Sequence, residues 1–173
     1  MLSDVTTKDA YPLPRIDDSL EQMSGAKWFL TLDLCSGYWQ LEVKPEDRHK
    51  TAFATRKGLF QFRVLPFGLC NAPATFERLI ETVLAGLQWD ICLIYLDDII
   101  VFAKSFEDML QNLSSVFDRL MSAGLKLKPR KCTLFATEVE FLGHVVSKEG
   151  DATDPKKIEV VKTWLTRGVA TPK

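Results

Sequence analysis

Two adjacent aspartates, Asp97 and Asp98, are the residues in this sequence most suited to chemistry. They lie between two short apolar runs, residues 91–95 and 99–102, and this pattern predicts a β-hairpin with an acidic tip. Adjacent carboxylates repel each other, and the end of a buried strand is a costly place for their charges. A cation would relieve this repulsion, and magnesium prefers oxygen ligands.

A third carboxylate, Asp33, ends the predicted strand 28–34. The alternation along this strand places Asp33 on the face opposite the leucines. Three carboxylates at neighbouring strand ends would suit two magnesium ions about 3.5–4 Å apart. An exposed turn that happens to contain two aspartates is the simpler explanation of the pair alone. Spacing by itself therefore indicates only a candidate for two-metal phosphoryl transfer.

The order of the predicted elements is strand, helix, hairpin, helix, strand, which predicts an α+β sheet with helices packed on one face in a split β-α-β arrangement. Apolar residues recur at helical spacing in two segments, 76–87 and 106–121. Further strands are expected at 132–135 and 139–146, and Pro155 can open a last helix.

Composition bounds the class of protein. The 173 residues suit one globular domain, and 22 Lys and Arg against 23 Asp and Glu give a net charge of -1. No apolar run is long enough to span a bilayer and no signal-peptide pattern is present, so we expect no membrane partner and an intracellular, cytoplasmic location. The four cysteines lack the spacing of a zinc site.

Five ordered motifs carry a resemblance to a known family. They are Y-L-D-D-I-I-V-F at 95–102, L-T-L-D-L-C-S-G-Y-W-Q at 30–40, K-T-A-F-A-T at 50–55, L-P-F-G-L-C-N-A-P-A-T-F at 65–76 and F-L-G-H-V-V-S at 141–147. Together they resemble the reverse transcriptases of gypsy-class long-terminal-repeat retrotransposons, almost from end to end. Five motifs in family order are far more specific than one short pattern.

The resemblance implies the palm of a right-hand polymerase with part of the fingers. Palm residues would be 9–40 and 64–150, a fingers insertion would be 41–63, and residues 151–173 would form a trailing helix. Asp33, Asp97 and Asp98 match the family's metal-binding carboxylates, which implies two Mg²⁺ ions, with Mn²⁺ as a substitute. The implied activity is RNA-directed DNA synthesis, and the implied partners are deoxynucleotides and an RNA or DNA template with its primer.

The resemblance also assigns roles to residues outside the carboxylate set. Tyr38 matches the aromatic beneath the incoming sugar, where a ring would exclude a 2′-hydroxyl. The motifs imply two further groups: nucleotide-binding residues Tyr38, Phe67 and Gly68, and primer- or template-binding residues Tyr95, Leu142, Gly143, His144, Pro66 and Asn71. Asn71 would in addition cap the following helix, and Leu142-Gly143-His144 resembles the primer grip.

Two other functions stay open at this stage. The chain could be a catalytically incomplete palm that acts only as a folded binding module, or another palm-type nucleotidyl transferase. Tyr38 argues against an enzyme that uses ribonucleotides. The family's thumb, ribonuclease H and integrase segments are expected to lie outside these residues, as are basic fingers residues that grip the triphosphate.

Overall fold

The fold is described from a computed structural model, which covers residues 5–12 and 14–153. Three helices and nine strands occur in these ranges. In chain order they are α1 (Ile16–Gln22), β1 (Trp28–Asp33), β2 (Phe53–Thr55), β3 (Gly58–Phe60), α2 (Ala72–Val83), β4 (Cys92–Tyr95), β5 (Asp98–Ala103), α3 (Phe106–Ser122), β6 (Thr133–Ala136), β7 (Glu138–Phe141), β8 (His144–Ser147) and β9 (Gly150–Thr153).

The centre of the molecule is a four-stranded antiparallel sheet with the strand order β4-β5-β1-β6. Strand β1 pairs with β5 along its whole length, from Trp28 opposite Ala103 to Asp33 opposite Asp98. Alternation along β1 sends Leu30 and Leu32 to one face and Phe29 to the other, and all three side chains are buried. Both faces of the sheet are therefore covered.

Helices α2 and α3 cover the face that carries the leucines of β1. Their inward residues join one core cluster with that face, among them Phe76, Ile80, Met109, Val116 and Leu120. Ser105 is the N-cap residue of helix α3, and its hydroxyl accepts a hydrogen bond of 3.1 Å from the Asp108 backbone N–H. The prediction of two amphipathic helices on one face of an α+β sheet is confirmed.

The opposite face is covered by α1 and by a three-stranded antiparallel sheet, β7-β8-β9. The strand region expected at 139–146 consists of two strands, β7 and β8, because the chain reverses at Leu142 and Gly143, whose φ angles are 50° and 82°. Residues 151–153 belong to β9 and not to a trailing helix. The helix predicted from Pro155 lies outside the described residues.

Residues 41–63 form an excursion from the central sheet. The excursion is closed at its base by two backbone hydrogen bonds of 2.9 Å, from Leu65 N to Leu41 O and from Val43 N to Arg63 O. Beyond them lie a 3-10 helix, Pro45–Thr51, and the two-stranded hairpin β2–β3, whose residues are all exposed. The assignment of residues 41–63 as a fingers insertion stays a prediction.

None of the helices in the described ranges is both long enough and apolar enough to cross a bilayer.

Candidate active site

The tip of the β4–β5 hairpin is a two-residue turn, Leu96-Asp97, enclosed by the pair Tyr95 and Asp98. Leu96 has a φ of 55°, a left-handed conformation that is unfavourable for a bulky side chain. Such a residue costs on the order of 1–3 kcal/mol and persists only where its surroundings hold it. The acidic hairpin predicted from the sequence is present, and its turn is held in a strained conformation.

The structure brings the three predicted carboxylates together. Asp33 and Asp98 lie directly opposite each other on neighbouring antiparallel strands, so their side chains share one face of the sheet. Burial raises the pKa of Asp98, and the charge of Asp33 raises it further. The pKa of Asp97 is also raised, first by burial and then by the charges of Asp98 and Asp33. These carboxylates therefore destabilise one another's charged forms.

The oxygen atoms at this tip fit a hard cation in their chemistry. Asp97 Oδ1 is buried and has no hydrogen-bond partner among the described residues. A side chain at Gly37 would place its Cβ 3.0 Å from this oxygen and 3.1 Å from the Phe76 ring, so only glycine leaves Asp97 undisturbed. Carboxylate oxygens are the ligands that Mg²⁺ prefers in proteins. Asp33, Asp97 and Asp98 would hold such an ion.

Lys131 supplies a positive charge beside the carboxylates. Its Nζ lies 2.9 Å from Asp33 Oδ2, and the pKa of Lys131 is raised first by this hydrogen bond. The carboxylates are not gathered into a closed coordination shell, because no group of three or more His, Cys, Asp or Glu side chains is arranged to hold a metal ion in the described part of the chain. The site thus has the right donor atoms, with one oxygen engaged by a lysine.

An aromatic group borders the carboxylates. Tyr38 lies in a 3-10 helix, Gly37–Gln40, which begins four residues after the end of β1. The Tyr38 ring centroid is 5.3 Å from that of Phe67 and 5.5 Å from that of Phe76. Burial raises the pKa of Tyr38, and the charge of Asp97 raises it further. Phe67 keeps 61% of its surface exposed, and Gly68 adopts a φ of 91°. Of the predicted nucleotide-binding residues, Tyr38 therefore lies near Asp97, and the Phe67 ring packs against Tyr38.

Asn71 is used differently from the prediction. It occupies the N-cap position of α2, but its side chain makes no capping hydrogen bond. Instead, its Oδ1 accepts from Asp9 N at 3.1 Å and its Nδ2 donates to Thr7 O at 2.9 Å. The Asn71 amide therefore binds the backbone of the segment that precedes α1, and not the N-terminus of its own helix. Pro66, the other predicted template residue of this region, is buried.

The remaining predicted primer- or template-binding residues lie towards the face that carries Asp33 and Asp98. Tyr95 pairs with Asp98, and both Tyr95 and Leu142 pack against the second core cluster. Leu142 and Gly143 form the turn between β7 and β8, and His144 follows as the first residue of β8. Tyr95 and the β7–β8 turn therefore border the same core cluster.

Glu77 is a charged residue near the site that the sequence reasoning missed. It lies on α2 and is completely buried, and burial raises its pKa to about 7. The available signal was its position, three residues before Ile80 and seven before Leu84, which places an acid within the apolar stripe of a helix. The contact of Lys131 with Asp33 spans 98 residues and leaves no local pattern in the sequence.

The fold and the carboxylate site together define the palm of a nucleic-acid polymerase. The chain belongs to the reverse transcriptase (RNA-dependent DNA polymerase) family, which matches residues 1–146. It is 39% identical over 163 residues to the retrovirus-related Pol polyprotein from transposon 297 of Drosophila melanogaster, and these residues are 94% of this chain and 15% of that polyprotein. Identity to the Pol polyprotein from transposon opus of the same organism is 42%, over 92% of this chain and 16% of the relative. The chain thus spans about one sixth of these relatives.

Solved structures give the same fold. A foamy viral protease-reverse transcriptase in complex with double-stranded DNA superposes with a TM-score of 0.84 at 22% identity, covering 99% of this chain and 29% of the other. A foamy viral enzyme in complex with an RNA/DNA hybrid gives a TM-score of 0.81 at 22% identity, covering 99% of this chain and 22% of the other. These likenesses establish the polymerase palm as the fold.

Proposed function

We propose that this chain carries the catalytic centre of an RNA-directed DNA polymerase, which transfers a nucleotide from a deoxynucleoside triphosphate to the 3′-hydroxyl of a primer. The observation that carries the proposal is the in-register pairing of Asp33 with Asp98 beside Asp97, whose Oδ1 is buried without a partner. Family membership gives the reaction class. The substrates, the partners and the metal ions of this reaction are likewise proposed.

Asp33, Asp97 and Asp98 would hold two Mg²⁺ ions, with Mn²⁺ as a substitute. Bound ions lower the pKa of the attacking hydroxyl and neutralise the triphosphate and its leaving group. The chain's own contribution is to place Asp33 opposite Asp98 on adjacent strands, with Asp97 in the turn beside them. Lys131 stands beside Asp33 and balances part of the negative charge.

Tyr38 would discriminate between deoxynucleotides and ribonucleotides. Its ring packs between Phe67 and Phe76, and it lies close enough to Asp97 for the charge of that carboxylate to raise the pKa of Tyr38. A ring held rigidly beside the metal ligands can exclude a 2′-hydroxyl by contact. Phe67 and Gly68 would border the same nucleotide, and the exposed part of Phe67 is available for packing against it.

The template and primer would cross the face that carries Asp33 and Asp98. Tyr95 and the residues of the β7–β8 turn, Leu142, Gly143 and His144, lie towards that face and would contact the primer end. Pro66 and Asn71 would support the template side through the backbone around them, because Pro66 is buried and the amide of Asn71 is engaged by the chain itself. The foamy viral relatives bound to double-stranded DNA and to an RNA/DNA hybrid support a duplex as the ligand.

The excursion 41–63 would serve as part of the fingers. It holds six Lys and Arg against three Asp and Glu, a local excess of positive charge in a chain whose net charge is -1. Phosphate contacts supply much of the affinity for nucleic acid. Because the chain as a whole has a net charge of -1, we expect it to bind a template weakly by itself. Binding should be stronger within a longer polyprotein that includes thumb, ribonuclease H and integrase segments. An intracellular, cytoplasmic location, including virus-like particles, stays a prediction.

Primer extension on an RNA template with Mg²⁺ and deoxynucleotides tests the proposal. Wild-type residues 1–173 and the Asp98→Asn variant are each placed in a chain completed with fingers and thumb from a relative. Asp118→Asn, an exposed residue of α3, is the matched control for loss of one negative charge. We expect extension by the wild type and by Asp118→Asn, and a loss of at least about 100-fold in Asp98→Asn. Equal extension by all three would contradict the assignment, and no extension by any of them would favour a non-catalytic binding module.

A further inference from the structure

Tyr38 is carried by a short element that needs support from the rest of the fold. The 3-10 helix Gly37–Gln40 has only four residues, and hydrogen bonds in such helices have poor geometry. The helix follows a sharp change of direction at Ser36, whose φ of 54° is unfavourable for a residue with a side chain. Contacts from outside the helix must therefore keep it in place.

The first residues of this helix are packed tightly against the candidate site. A Cβ added at Gly37 would lie 3.0 Å from Asp97 Oδ1 and 3.1 Å from the ring of Phe76. The ring of Tyr38 meets that of Phe76 edge to face, with their centroids 5.5 Å apart. Close contacts of this kind limit how near the helix can come to the site, but they do not stop it from moving away.

The last residue of the helix, Gln40, supplies the missing attachment through its side-chain amide. Its Nε2 donates to Cys35 O at 2.8 Å and to Lys126 O at 3.0 Å, and its Oε1 accepts from Lys126 N at 2.6 Å. The amide thus uses both of its donor positions and its acceptor. All three partners are backbone groups, so the attachment does not depend on the conformation of a second side chain.

The Lys126 backbone is itself attached to the strand that carries Asp33. Cys35 N donates to Lys126 O at 2.8 Å. Two residues further along, Lys128 N donates to Asp33 O at 2.9 Å. Gln40 therefore joins the 3-10 helix to a hydrogen-bonded extension of β1, directly beside the carboxylate of that strand.

We propose that Gln40 is a positioning residue for nucleotide discrimination, whose amide holds the 3-10 helix on the extension of β1 and so keeps the Tyr38 ring against Phe76, where the ring meets the sugar of the incoming nucleotide. This inference rests on the proposed function, because it presupposes that Tyr38 contacts that sugar. Gln40 acts through Tyr38 and not through a contact of its own with the nucleotide. Methionine at this position keeps the length of the side chain and removes all three hydrogen bonds, so it separates hydrogen bonding from packing.

Competitive incorporation of ribonucleotides and deoxynucleotides tests the inference in the chain completed with fingers and thumb from a relative. Wild type, Gln40→Met, Tyr38→Ala and the double variant are compared, with Gln111→Met on the exposed side of α3 as the control for the same change. We expect Gln40→Met to lower the preference for deoxynucleotides about three- to tenfold. The double variant should match Tyr38→Ala, because Gln40 acts through the tyrosine ring. Gln111→Met should keep the wild-type preference.

Hydrogen exchange of the 173-residue chain provides a second readout, which needs no activity. The Lys126 amide is bonded to Gln40 Oε1, and the Leu41 amide is bonded to Tyr38 O at 3.1 Å at the end of the 3-10 helix. Both amides should exchange at least about tenfold faster in Gln40→Met than in the wild type or in Gln111→Met. Amides in the centre of β1 should keep their wild-type rates, which shows that the variant folds.

The two readouts separate the possible failures. A wild-type preference for deoxynucleotides in Gln40→Met would overturn the inference, with or without faster exchange, and would leave the proposed function standing. A lower preference without faster exchange, or a further loss in the double variant, would show that Gln40 does not act by positioning Tyr38. If the wild-type polymerase does not extend a primer, the proposed function fails and the inference fails with it. Gln40→Glu, which keeps the shape and the acceptor but loses both donors, replaces Gln40→Met if the methionine variant does not fold.

Discussion

Two antiparallel hairpins in this protein share a pairing pattern and differ in almost everything else. The β4–β5 hairpin is buried along both strands and reaches solvent at its acidic end. The β2–β3 hairpin is exposed at every residue, and its stacked rings, Phe53 and Phe60, lie with centroids 6.0 Å apart on the surface. The first hairpin is the centre of the core, and the second adds nothing to it.

The difference shows where rigidity comes from. An isolated two-stranded hairpin is marginally stable, because it has no third layer to cover its faces. The β4–β5 hairpin is covered by helices on one face and by α1 and the β7-β8-β9 sheet on the other. That packing can hold repelling carboxylates and a strained Leu96 in place. The β2–β3 hairpin has no such support among the described residues, which suits a segment completed by a ligand or by another part of a polymerase.

The largest expected difference is in stability. Ile100→Ala in β5 removes a fully buried side chain and should lower the free energy of unfolding by about 2–5 kcal/mol. Leu59→Ala in β3 removes a side chain that is 75% exposed and should change the free energy of unfolding by no more than about 0.5 kcal/mol. Urea unfolding of the two variants measures both. Similar losses would mean that the β2–β3 hairpin is packed into the core after all.

The titratable groups of the two hairpin regions should make the stability of the folded state depend on pH in opposite directions. Burial raises the pKa of Glu77, beside the β4–β5 turn, from 4.5 to about 7, so the folded state binds more protons than the unfolded state. Its contribution to stability is therefore present below about pH 4.5 and is lost as the pH rises through about 7. The raised pKa values of Asp97 and Asp98 act in the same direction. Without divalent ions, stability should fall by on the order of 2 kcal/mol between pH 5 and 8.

Asp47 in the excursion provides the contrast. Its hydrogen bond with Lys50 lowers its pKa, so its contribution is lost only as the pH falls through that lowered value. Thermal unfolding from pH 5 to 8 should therefore show a flatter profile for Glu77→Gln and an unchanged profile for Asp47→Asn. A wild-type profile that rises with pH across this range would show that the buried carboxyls do not carry raised pKa values.

A smaller effect concerns the aromatic residues of the two regions. Tyr38→Ala should raise ribonucleotide incorporation relative to deoxyribonucleotide by about tenfold, because a rigid ring beside Asp97 is lost. Phe60→Ala in the exposed hairpin should leave this ratio unchanged. Competitive incorporation in the completed polymerase measures both variants. Unchanged selectivity in an active Tyr38→Ala enzyme would reduce Tyr38 to a packing residue.

The structural elements that the sequence predicts are those in which apolar residues recur at a regular local spacing. Alternation along 28–33 places Asp33 correctly opposite the leucines, and the two apolar runs around Asp97 predict the hairpin. The resemblance of Leu142-Gly143-His144 to the primer grip implies a turn within 139–146, and the structure has one there, with a φ of 82° at Gly143. The φ of 50° at Leu142 could not be read from the sequence, because leucine rarely adopts that conformation.

Contacts between distant segments account for the rest of what was missed. The amide of Asn71 could cap its own helix, and the choice of Thr7 and Asp9 as its partners is decided 62 to 64 residues away. The ion pair between Lys131 and Asp33 spans 98 residues. Residue type and spacing therefore identify the carboxylates, whereas the groups that orient and balance them become visible only in the fold.

The most direct test of the carboxylate site is the thermal stability of the 173-residue chain with and without Mg²⁺. Wild type, Asp98→Asn and the exposed control Asp118→Asn are compared by scanning calorimetry. We expect Mg²⁺ to raise the melting temperature of the wild type and of Asp118→Asn by binding only the folded state. Asp98→Asn should show little response, and without Mg²⁺ it should be at least as stable as the wild type, since one repelling charge is gone. An equal response to Mg²⁺ in Asp98→Asn and the wild type would contradict a cation site built from Asp33, Asp97 and Asp98.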